Sequence, residues 1–371
     1  MRSFRVALIS AVLAAVPVAT AHAEVKVVVS VKPIHSLVAG VMAGVGSPTL
    51  IVQGAGSPHT YSLKPSQAAQ MESADVIFWV GHNMEAFLEK PLESLGGKAR
   101  VVELMDTDGL TQLAIREGGP FEGHDHDHGH DDHGHDDHDH DAKKHDDHDH
   151  DEAKHDDHAE AKHDDHDHGD AKHDDHDDHG DHAEGEVDAH IWLDPMNAKV
   201  LVGEIAHNLA EADPANAATY KANADSMSAQ IDEMSGKVAE TLAPVRERPF
   251  IVFHDAYQHF ETRFGLQAAG SITVSPEVVP GAARVQEIRD RVRDLGAVCV
   301  FSEPQFTPQM VSVVTEGSDA NQGVLDPLGA ELAPGPDLYV ALIENMAGSM
   351  AACLAARAAG QGIHGSGSQD R

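Results

Sequence analysis

Continuous apolar runs alternate with helix-type segments along the first part of the chain. Runs rich in β-branched residues predict strands at 25–31, 49–52, 74–80 and 100–104. The segments between them predict helices at 33–45, 65–73 and 85–95, with Pro91 expected to disturb the last. Runs that are apolar throughout are typical of parallel strands covered by helices on both faces. The pattern therefore predicts an α/β lobe with a mostly parallel sheet.

The same alternation returns in the last third of the chain. Strands are predicted at 250–253, 267–274, 297–302 and 323–325, and helices at 256–264, 281–295, 308–317 and 337–357. Between the two patterns lie a helix at 197–211 and a long one at 214–242, whose polar composition is typical of a helix exposed along much of its length. The fold class predicted is two α/β lobes, with mostly parallel sheets, joined by a single long linking helix.

A low-complexity segment interrupts the first lobe at about 122–186. Between His124 and His182, 59 residues contain 20 His, 23 Asp, 2 Glu and 5 Lys. Without large apolar residues this insert buries too little surface to offset chain entropy, so we expect disorder in its metal-free state. Imidazole at this density favours loose binding of several ions such as Zn²⁺, Cu²⁺, Ni²⁺ or Co²⁺. The predicted accessory metal ligands are His124, His126, His128, His130, His133, His135, His138, His140, His145, His148, His150, His155, His158, His163, His166, His168, His173, His176, His179 and His182.

The insert also explains most of the charge. The formal net charge is −36, and residues 124–182 contribute −20 of it, so the rest of the chain is acidic in an ordinary way. A chain without a basic face is not expected to hold nucleic acid or an anionic membrane. The remaining length, about 290 residues, suits two domains. The expected organisation is a lobe at 24–213 that carries the insert, the linking helix at 214–242, a lobe at 243–360 and a flexible tail at 361–371.

The N-terminal residues 1–23 have the pattern of a secretory signal peptide. Arg2 and Arg5 precede a short apolar stretch, and Ala21-His22-Ala23 is a small-x-small cleavage site. We expect export to the periplasm without a lipid anchor, and no membrane span further along. The two cysteines, Cys299 and Cys353, are not spaced as a redox or zinc pair. In an oxidising compartment they are either a disulfide or two buried thiols.

Nine histidines lie outside the insert, and three of them stand out by their position along the chain. His59 follows 49–52 and a Gly-rich loop, His190 lies in DAHIWLDP, and His254 follows 250–253. Loops beyond the carboxyl ends of parallel strands are where α/β sheets bind ligands, so a metal held by all three would lie between the lobes. Taken singly, each is compatible with a structural role. Of the other six, His22 and His364 lie in the terminal segments, His35 and His82 are expected to be structural or supporting, and His207 and His259 are expected on helix surfaces.

Four separated segments carry a family resemblance. They are SPHTYSLKPS at 57–66, DAHIWLDP at 188–195, FHDAY at 253–257 and LDPLG at 325–329. In this order they resemble the signature segments of the cluster A-I solute-binding proteins of metal ABC importers, and within that cluster the periplasmic zinc-binding components. The segments 74–87 and 298–306 are similar as well.

The resemblance implies a metal site between the two lobes. It assigns His59, His190 and His254 as ligands, and Asp326 matches an acidic ligand of manganese-binding relatives, which have Glu where this chain has His254. Three imidazoles favour Zn²⁺ over Mn²⁺. Some zinc-binding relatives have Glu where Pro58 stands, so the fourth ligand is expected to be Asp326 or a water. The resemblance also favours a Cys299–Cys353 disulfide.

The function that the resemblance implies is capture of Zn²⁺ and its delivery to a membrane permease driven by a separate ATPase. Zinc is then cargo and the chain is not an enzyme, which agrees with the absence of H-E-x-x-H, G-x-S-x-G and P-loop patterns. The expected state is a monomer, with periplasmic zinc chaperones as further candidate partners and the insert as zinc collector or sensor. The alternatives are a metal-buffering protein acting through the insert and a manganese-binding relative.

Overall fold

The computed structural model describes residues 24–116, 118, 121, 187–273, 280–296, 298–306 and 309–356. All of these residues belong to one compact unit. The signal peptide expected at 1–23, the insert at about 122–186 and the tail at 361–371 lie outside the described residues, so these expectations stay predictions.

The first sheet contains four parallel strands in the order β2-β1-β3-β4. The strands are β1 (Val27–Val29), β2 (Thr49–Leu50), β3 (Val76–Trp79) and β4 (Arg100–Glu103), and the helices are α1 (Lys32–Val41), α2 (Pro65–Glu72) and α3 (Glu89–Leu95). The helix expected at 85–95 is divided into a 3-10 turn, Ala86–Leu88, and α3. Pro91 lies in the first turn of α3, where a missing N–H leaves no hydrogen bond unmade.

Two helices follow the insert, α4 (Pro195–Ala212) and α5 (Ala217–Leu242). The long helix predicted at 214–242 is confirmed, with its first turn, Pro214–Asn216, in the 3-10 form. The buried side chains of α5 recur every three or four residues, as on one face of an α-helix, and they are Tyr220, Ala224, Met227, Ile231, Met234, Val238 and Leu242. This face packs on α1, α4 and the last helix of the chain, while much of the remaining surface of α5 is exposed.

The second sheet repeats the order of the first, as β6-β5-β7-β8, and is again parallel throughout. Its strands are β5 (Phe250–His254), β6 (Ala268–Thr273), β7 (Cys299–Ser302) and β8 (Asn321–Val324), and its helices are α6 (Gln258–Phe264), α7 (Ala282–Asp294), α8 (Gln309–Thr315) and α9 (Leu338–Ala355). The α/β class and the mostly parallel sheets predicted from the apolar runs are confirmed.

The faces of β5 belong to two different cores. Phe250 and Val252 join the large core shared with the first sheet, α5 and α9, whereas Ile251 and Phe253 join a smaller core under α7 and α8. Alternate residues of a strand point to opposite faces, which is why the run is apolar throughout. Helices therefore cover this sheet on both sides.

Helix α9 closes the second half of the fold. Cys353 on α9 forms a disulfide with Cys299 on β7, as the resemblance implied. The bond closes a separation of 54 residues, which stabilises the fold by about 4 kcal/mol on the chain-entropy account. Among the described residues α9 is also the one helix with the length and composition of a membrane span, but half of it is buried inside the protein. A core helix has the same composition.

A fully buried carboxyl, Glu85, lies in the loop after β3. Burial raises its pKa to about 7, although backbone N–H groups of Val80 and Gly81 donate hydrogen bonds to the carboxylate at 3.0–3.3 Å. Because the pKa in the folded chain exceeds that in the unfolded chain, folding favours the protonated form. Stability at this site is therefore lost as the pH rises from about 4.5 through about 7.

Comparison with Glu85→Gln isolates this effect. Between about pH 4.5 and about pH 8, we expect the free energy of unfolding of the parent chain to fall by about 3 kcal/mol relative to the variant. Urea titrations of both proteins across this pH range measure the difference. If the difference in unfolding free energy between the two proteins stayed constant with pH, Glu85 would have the same pKa in the folded and the unfolded chain.

Candidate metal site

Three histidines from distant parts of the chain meet at the carboxyl ends of the strands. His59 lies in a 3-10 turn, Pro58–Thr60, that follows β2, and His254 is the last residue of β5. His190 directly precedes the 3-10 turn Ile191–Leu193 that leads into α4. β5 lies between β6 and β7, where the direction of strand succession reverses, and such switch points are the usual ligand sites of open α/β sheets.

The imidazoles are close enough to share one ion. A set of ligand atoms, one from each of His59, His190 and His254, lies within 4.8 Å of one another. The ring centroids are 5.3–6.0 Å apart. The Nε2 atoms of His190 and His254 are separated by 3.4 Å, close to the ~3.3 Å between two nitrogens that share a tetrahedral zinc at 2.0–2.1 Å.

Two buried carboxylates orient two of the rings. Asp188 Oδ1 is 2.8 Å from Nδ1 of His190, and Glu303 Oε1 is 2.6 Å from Nδ1 of His254. A carboxylate only accepts hydrogen bonds, so each Nδ1 carries the proton, and in the neutral ring each Nε2 presents a lone pair. Two lone pairs 3.4 Å apart cannot bond to each other. When both rings are neutral, a cation between them could be held by both lone pairs.

His59 completes the set with a lone pair that is available at low pH. Its Nε2 is buried and has no hydrogen-bond partner among the described residues. Burial, followed by the charges of His190 and His254, holds the pKa of His59 well below 6.5. Its ring therefore stays neutral, as a metal ligand requires.

The charges of the site match a divalent cation. Burial raises the pKa of Asp188, but its hydrogen bond and charge interaction with His190 more than offset this and lower the pKa below 3.8. Asp188 and Glu303 are both buried, and together they supply two negative charges beside three neutral imidazoles. An ion of charge +2 leaves the site without net charge, which is the condition for burying it at low cost.

The space between the rings is small. The cavity has a volume of about 10 Å³, enough for the centre of one water-sized body. It is lined by Ser57, Pro58, His59, Met84, His190, His254, Glu303, Gln305, Phe306, Pro327 and Leu328. Nitrogen ligands in a tight cavity favour zinc and its neighbours over calcium or magnesium.

Asp326 lies in the loop after β8, and its carboxylate holds that loop together. It accepts hydrogen bonds from the backbone N–H groups of Leu328, Gly329 and Ala330 at 2.5–3.1 Å, and from the side chain of Gln305 at 3.0 Å. The structure thus brings the three predicted histidines together and gives Asp326 four other partners.

The other histidines divide into buried and exposed residues. His35 is buried with Nε2 3.1 Å from the carbonyl of Pro48, which is a structural role. His82 is exposed between Glu89 and Glu103, and His207 is exposed on α4. The surface position expected for His259 is wrong: it is 1% exposed and its Nε2 lies 3.1 Å from the carbonyl of Asp188.

Asp188 and Glu303 were not predicted from the sequence as the carboxylates that contact His190 and His254. Asp188 lies two residues before His190 in the segment DAH, a spacing that could have indicated it. Glu303 is 49 residues from His254, and the two meet because each lies at the carboxyl end of neighbouring strands, β5 and β7. That contact depends on the strand order.

An ion-pair cluster lies beside the site. Arg116, at the described end of the segment before the insert, donates to Asp255 through Nε at 3.0 Å and to Glu261 at 2.8–2.9 Å. Burial lowers the pKa of Arg116, but the hydrogen bonds and charges of the two carboxylates more than offset this and raise it. Ala114 and Val187 form a β-bridge where the chain leaves and re-enters the described structure. The chain segments flanking the insert are thereby fastened to α6.

The pKa of His254 gives the site a pH dependence. Burial alone lowers this pKa, but the charge and hydrogen bond of Glu303 more than offset it and raise the pKa above 6.5. Since protons and zinc compete for the ring, affinity is expected to fall as the pH drops through this raised value.

In the variant Glu303→Gln the raised pKa is lost, so the fall in zinc affinity should begin at a lower pH. At higher pH the variant should bind about 10–100-fold more weakly, because the amide orients the ring less well. Competition titrations with a chelator at a series of pH values measure both effects. An unchanged pH profile would contradict the role of Glu303.

Comparisons with known proteins point to one family. The family model described as "Zinc-uptake complex component A periplasmic" (ZnuA) matches residues 27–353. The "High-affinity zinc uptake system protein ZnuA" of Brucella abortus is 56% identical over 328 residues, covering 88% of this chain and 91% of the relative. That of Yersinia pestis is 33% identical over 353 residues, covering 94% and 96%.

A solved structure described as "Crystal structure of ZnuA" shares the fold. Its TM-score is 0.63 at 20% identity, and the match covers 88% of this chain and 100% of that one. The family model covers most of the chain and the curated relatives match along nearly their whole length. The chain therefore belongs to the ZnuA family, the periplasmic A components of zinc-uptake complexes.

Proposed function

We propose that this protein captures one Zn²⁺ in the cleft between two α/β lobes and delivers it to the membrane permease of an ABC importer, whose separate ATPase drives transport. The observation that carries this proposal is the convergence of His59, His190 and His254, with two Nδ1–H groups held by carboxylates. Relatives named as high-affinity zinc uptake proteins support zinc as the cargo. The description of the family as a periplasmic component of zinc-uptake complexes supports a solute-binding role in the periplasm.

Three neutral imidazoles are the proposed protein ligands. Their nitrogens favour Zn²⁺ over Mn²⁺, which prefers oxygen. For the fourth position, which the sequence left between Asp326 and a water, we propose the water. The carboxylate of Asp326 already accepts four hydrogen bonds, and a third negative charge would leave the buried site with a net charge of −1. An open fourth position also eases release to the permease.

The insert at about 122–186 is proposed to collect zinc for the cleft, with sensing of excess zinc as the competing role. Its returning end is close to the site along the chain, because Val187 precedes His190 by three residues. On this side Asp188 donates its backbone N–H to the carbonyl of Leu113 at 2.8 Å and orients His190. We propose that ions held loosely by the insert pass from it to the three histidines.

The domain bounds complete the proposal. A lobe at 24–213, the linking helix at 214–242 and a lobe at 243–360 are supported by the repeated strand order of the two sheets and by α5 between them. The protein is proposed to act as a monomer on its permease, with zinc chaperones as further partners. It is proposed not to be an enzyme, since zinc is cargo here.

The experiment separates transport from buffering. Three forms of the protein are compared in a bacterium that lacks its own zinc-binding component and grows in chelator-treated medium: the full chain, the chain without 122–186, and the chain with His59, His190 and His254 all changed to Ala. The proposal predicts growth with the first two and none with the third. Growth that depends on the insert and not on the three histidines would favour a buffering protein instead.

A further inference from the structure

Gln305 is a polar residue that lines the cavity but is not one of the three proposed histidine ligands. It lies after β7, borders the cavity with the histidines, and donates its side-chain NH₂ to Asp326 Oδ1 at 3.0 Å. Because a carboxylate only accepts hydrogen bonds, this contact decides which end of the amide is the nitrogen. The Oε1 atom of Gln305 is therefore turned away from Asp326.

That oxygen lacks a partner in the part of the chain that the structure describes. Gln305 Oε1 is buried and accepts no hydrogen bond there, and an unsatisfied buried acceptor costs about 1–3 kcal/mol. A donor is therefore expected in the working state of the protein. Gln305 lines the same cavity as the three histidines, so the zinc site is the nearest place from which such a donor could come.

The charge of the site indicates which kind of fourth zinc ligand fits. With zinc held by three imidazoles, one tetrahedral position is left. Asp188 and Glu303 already balance the two positive charges of the ion, so a neutral fourth ligand keeps the buried site without net charge. A water is neutral and has two O–H groups to donate.

We propose that Gln305, oriented by Asp326, accepts a hydrogen bond from the water that completes the zinc coordination. Gln305 is thus a positioning residue for the fourth ligand, and Asp326 acts through Gln305 and not by direct coordination. This inference rests on the proposed function, because it needs the three-histidine zinc site.

The first test removes the acceptor from a chain that lacks residues 122–186. Gln305→Met keeps the length of the side chain and removes its oxygen. The expected result is zinc affinity about 10–100-fold weaker, together with a changed visible spectrum of the Co²⁺-loaded protein, which reports the geometry around the ion. The matched control is Gln322→Met on β8. The side-chain amide of Gln322 donates a hydrogen bond to Thr315 Oγ1 at 2.6 Å, and Gln322 is not among the residues that line the cavity. The control is expected to keep both the affinity and the spectrum.

The second test asks whether Asp326 acts through Gln305. In the Asp326→Asn variant, residue 326 can also donate a hydrogen bond, so the Gln305 amide is no longer held with its nitrogen towards residue 326. The zinc affinity should then fall by a factor similar to that expected for Gln305→Met. Added to Gln305→Met, the same change should weaken binding by less than about threefold, because residues that act as one unit are not additive.

Two results would overturn the inference. One is a Gln305→Met variant with unchanged zinc affinity and an unchanged Co²⁺ spectrum. The other is a further loss of about tenfold or more on adding Asp326→Asn to Gln305→Met, as expected of a direct ligand. Absence of a single tight zinc site in the parent protein would instead overturn the proposed function itself.

Discussion

His254→Ala, in a chain without residues 122–186, is expected to lower zinc affinity by at least about 100-fold, beyond the 10–100-fold typical of losing an outer partner. The variant loses one of three nitrogen ligands. It also leaves the buried carboxylate of Glu303 without the ring that it contacts at 2.6 Å. Isothermal titration with a competing chelator measures the affinity.

The matched control for this variant is His207→Ala. His207 is exposed on α4, with only a solvent-accessible contact to Glu211 at 3.7 Å, so its removal should leave the affinity unchanged. If His254→Ala retained the parent affinity, His254 would be excluded from the site. Removal of the insert matters here, because its 20 histidines are expected to bind zinc in the same titration.

Arg116→Met is expected to destabilise the metal-free protein by about 3–5 kcal/mol, the usual cost of breaking a buried ion pair on one side. The side chains of Asp255 and Glu261 are only 5% and 3% exposed. Burial raises the pKa of Asp255, and Arg116 is the group that counteracts this rise. Without Arg116, two neighbouring buried carboxylates lose their cation. Urea unfolding of the metal-free protein measures the loss.

Further substitutions test whether the lost stability comes from the uncompensated carboxylates. Adding Asp255→Asn and Glu261→Gln to Arg116→Met removes the uncompensated charges, so most of the lost stability should return. Arg293→Met serves as control, since Arg293 and its partner Asp290 are both exposed, and such pairs contribute at most about 1 kcal/mol. A loss for Arg116→Met as small as that of the control would mean that the cluster behaves as a surface pair.

Apolar patterning was sufficient to predict the elements of the fold. The run at 250–253 is apolar throughout because its two faces lie in two different cores, and such runs identify parallel strands without any knowledge of the partners. The polar composition of the helix at 214–242 likewise predicted a helix exposed along much of its length, and the structure buries one face of it. The repeated alternation of strand and helix patterns predicted two sheets. It did not predict the order of strands within each sheet, because that order depends on packing between distant segments.

Contacts between distant segments explain what was not predicted. His259 looks like a surface residue within its helix, but the chain that returns from the insert places the carbonyl of Asp188 against its ring. Glu303 could not be paired with His254 before β5 and β7 were known to be neighbours. The three histidines themselves were identifiable, because His59 and His254 follow strands and all three belong to family motifs.

Zinc K-edge X-ray absorption counts the imidazoles that hold the zinc ion. The sample is the chain without residues 122–186, loaded with one equivalent of zinc. We expect three imidazole nitrogens and one further nitrogen or oxygen, all at about 2.0–2.1 Å from the zinc, with one imidazole fewer in His254→Ala. A parent spectrum with two imidazoles or fewer, or one that His254→Ala leaves unchanged, would contradict this expectation.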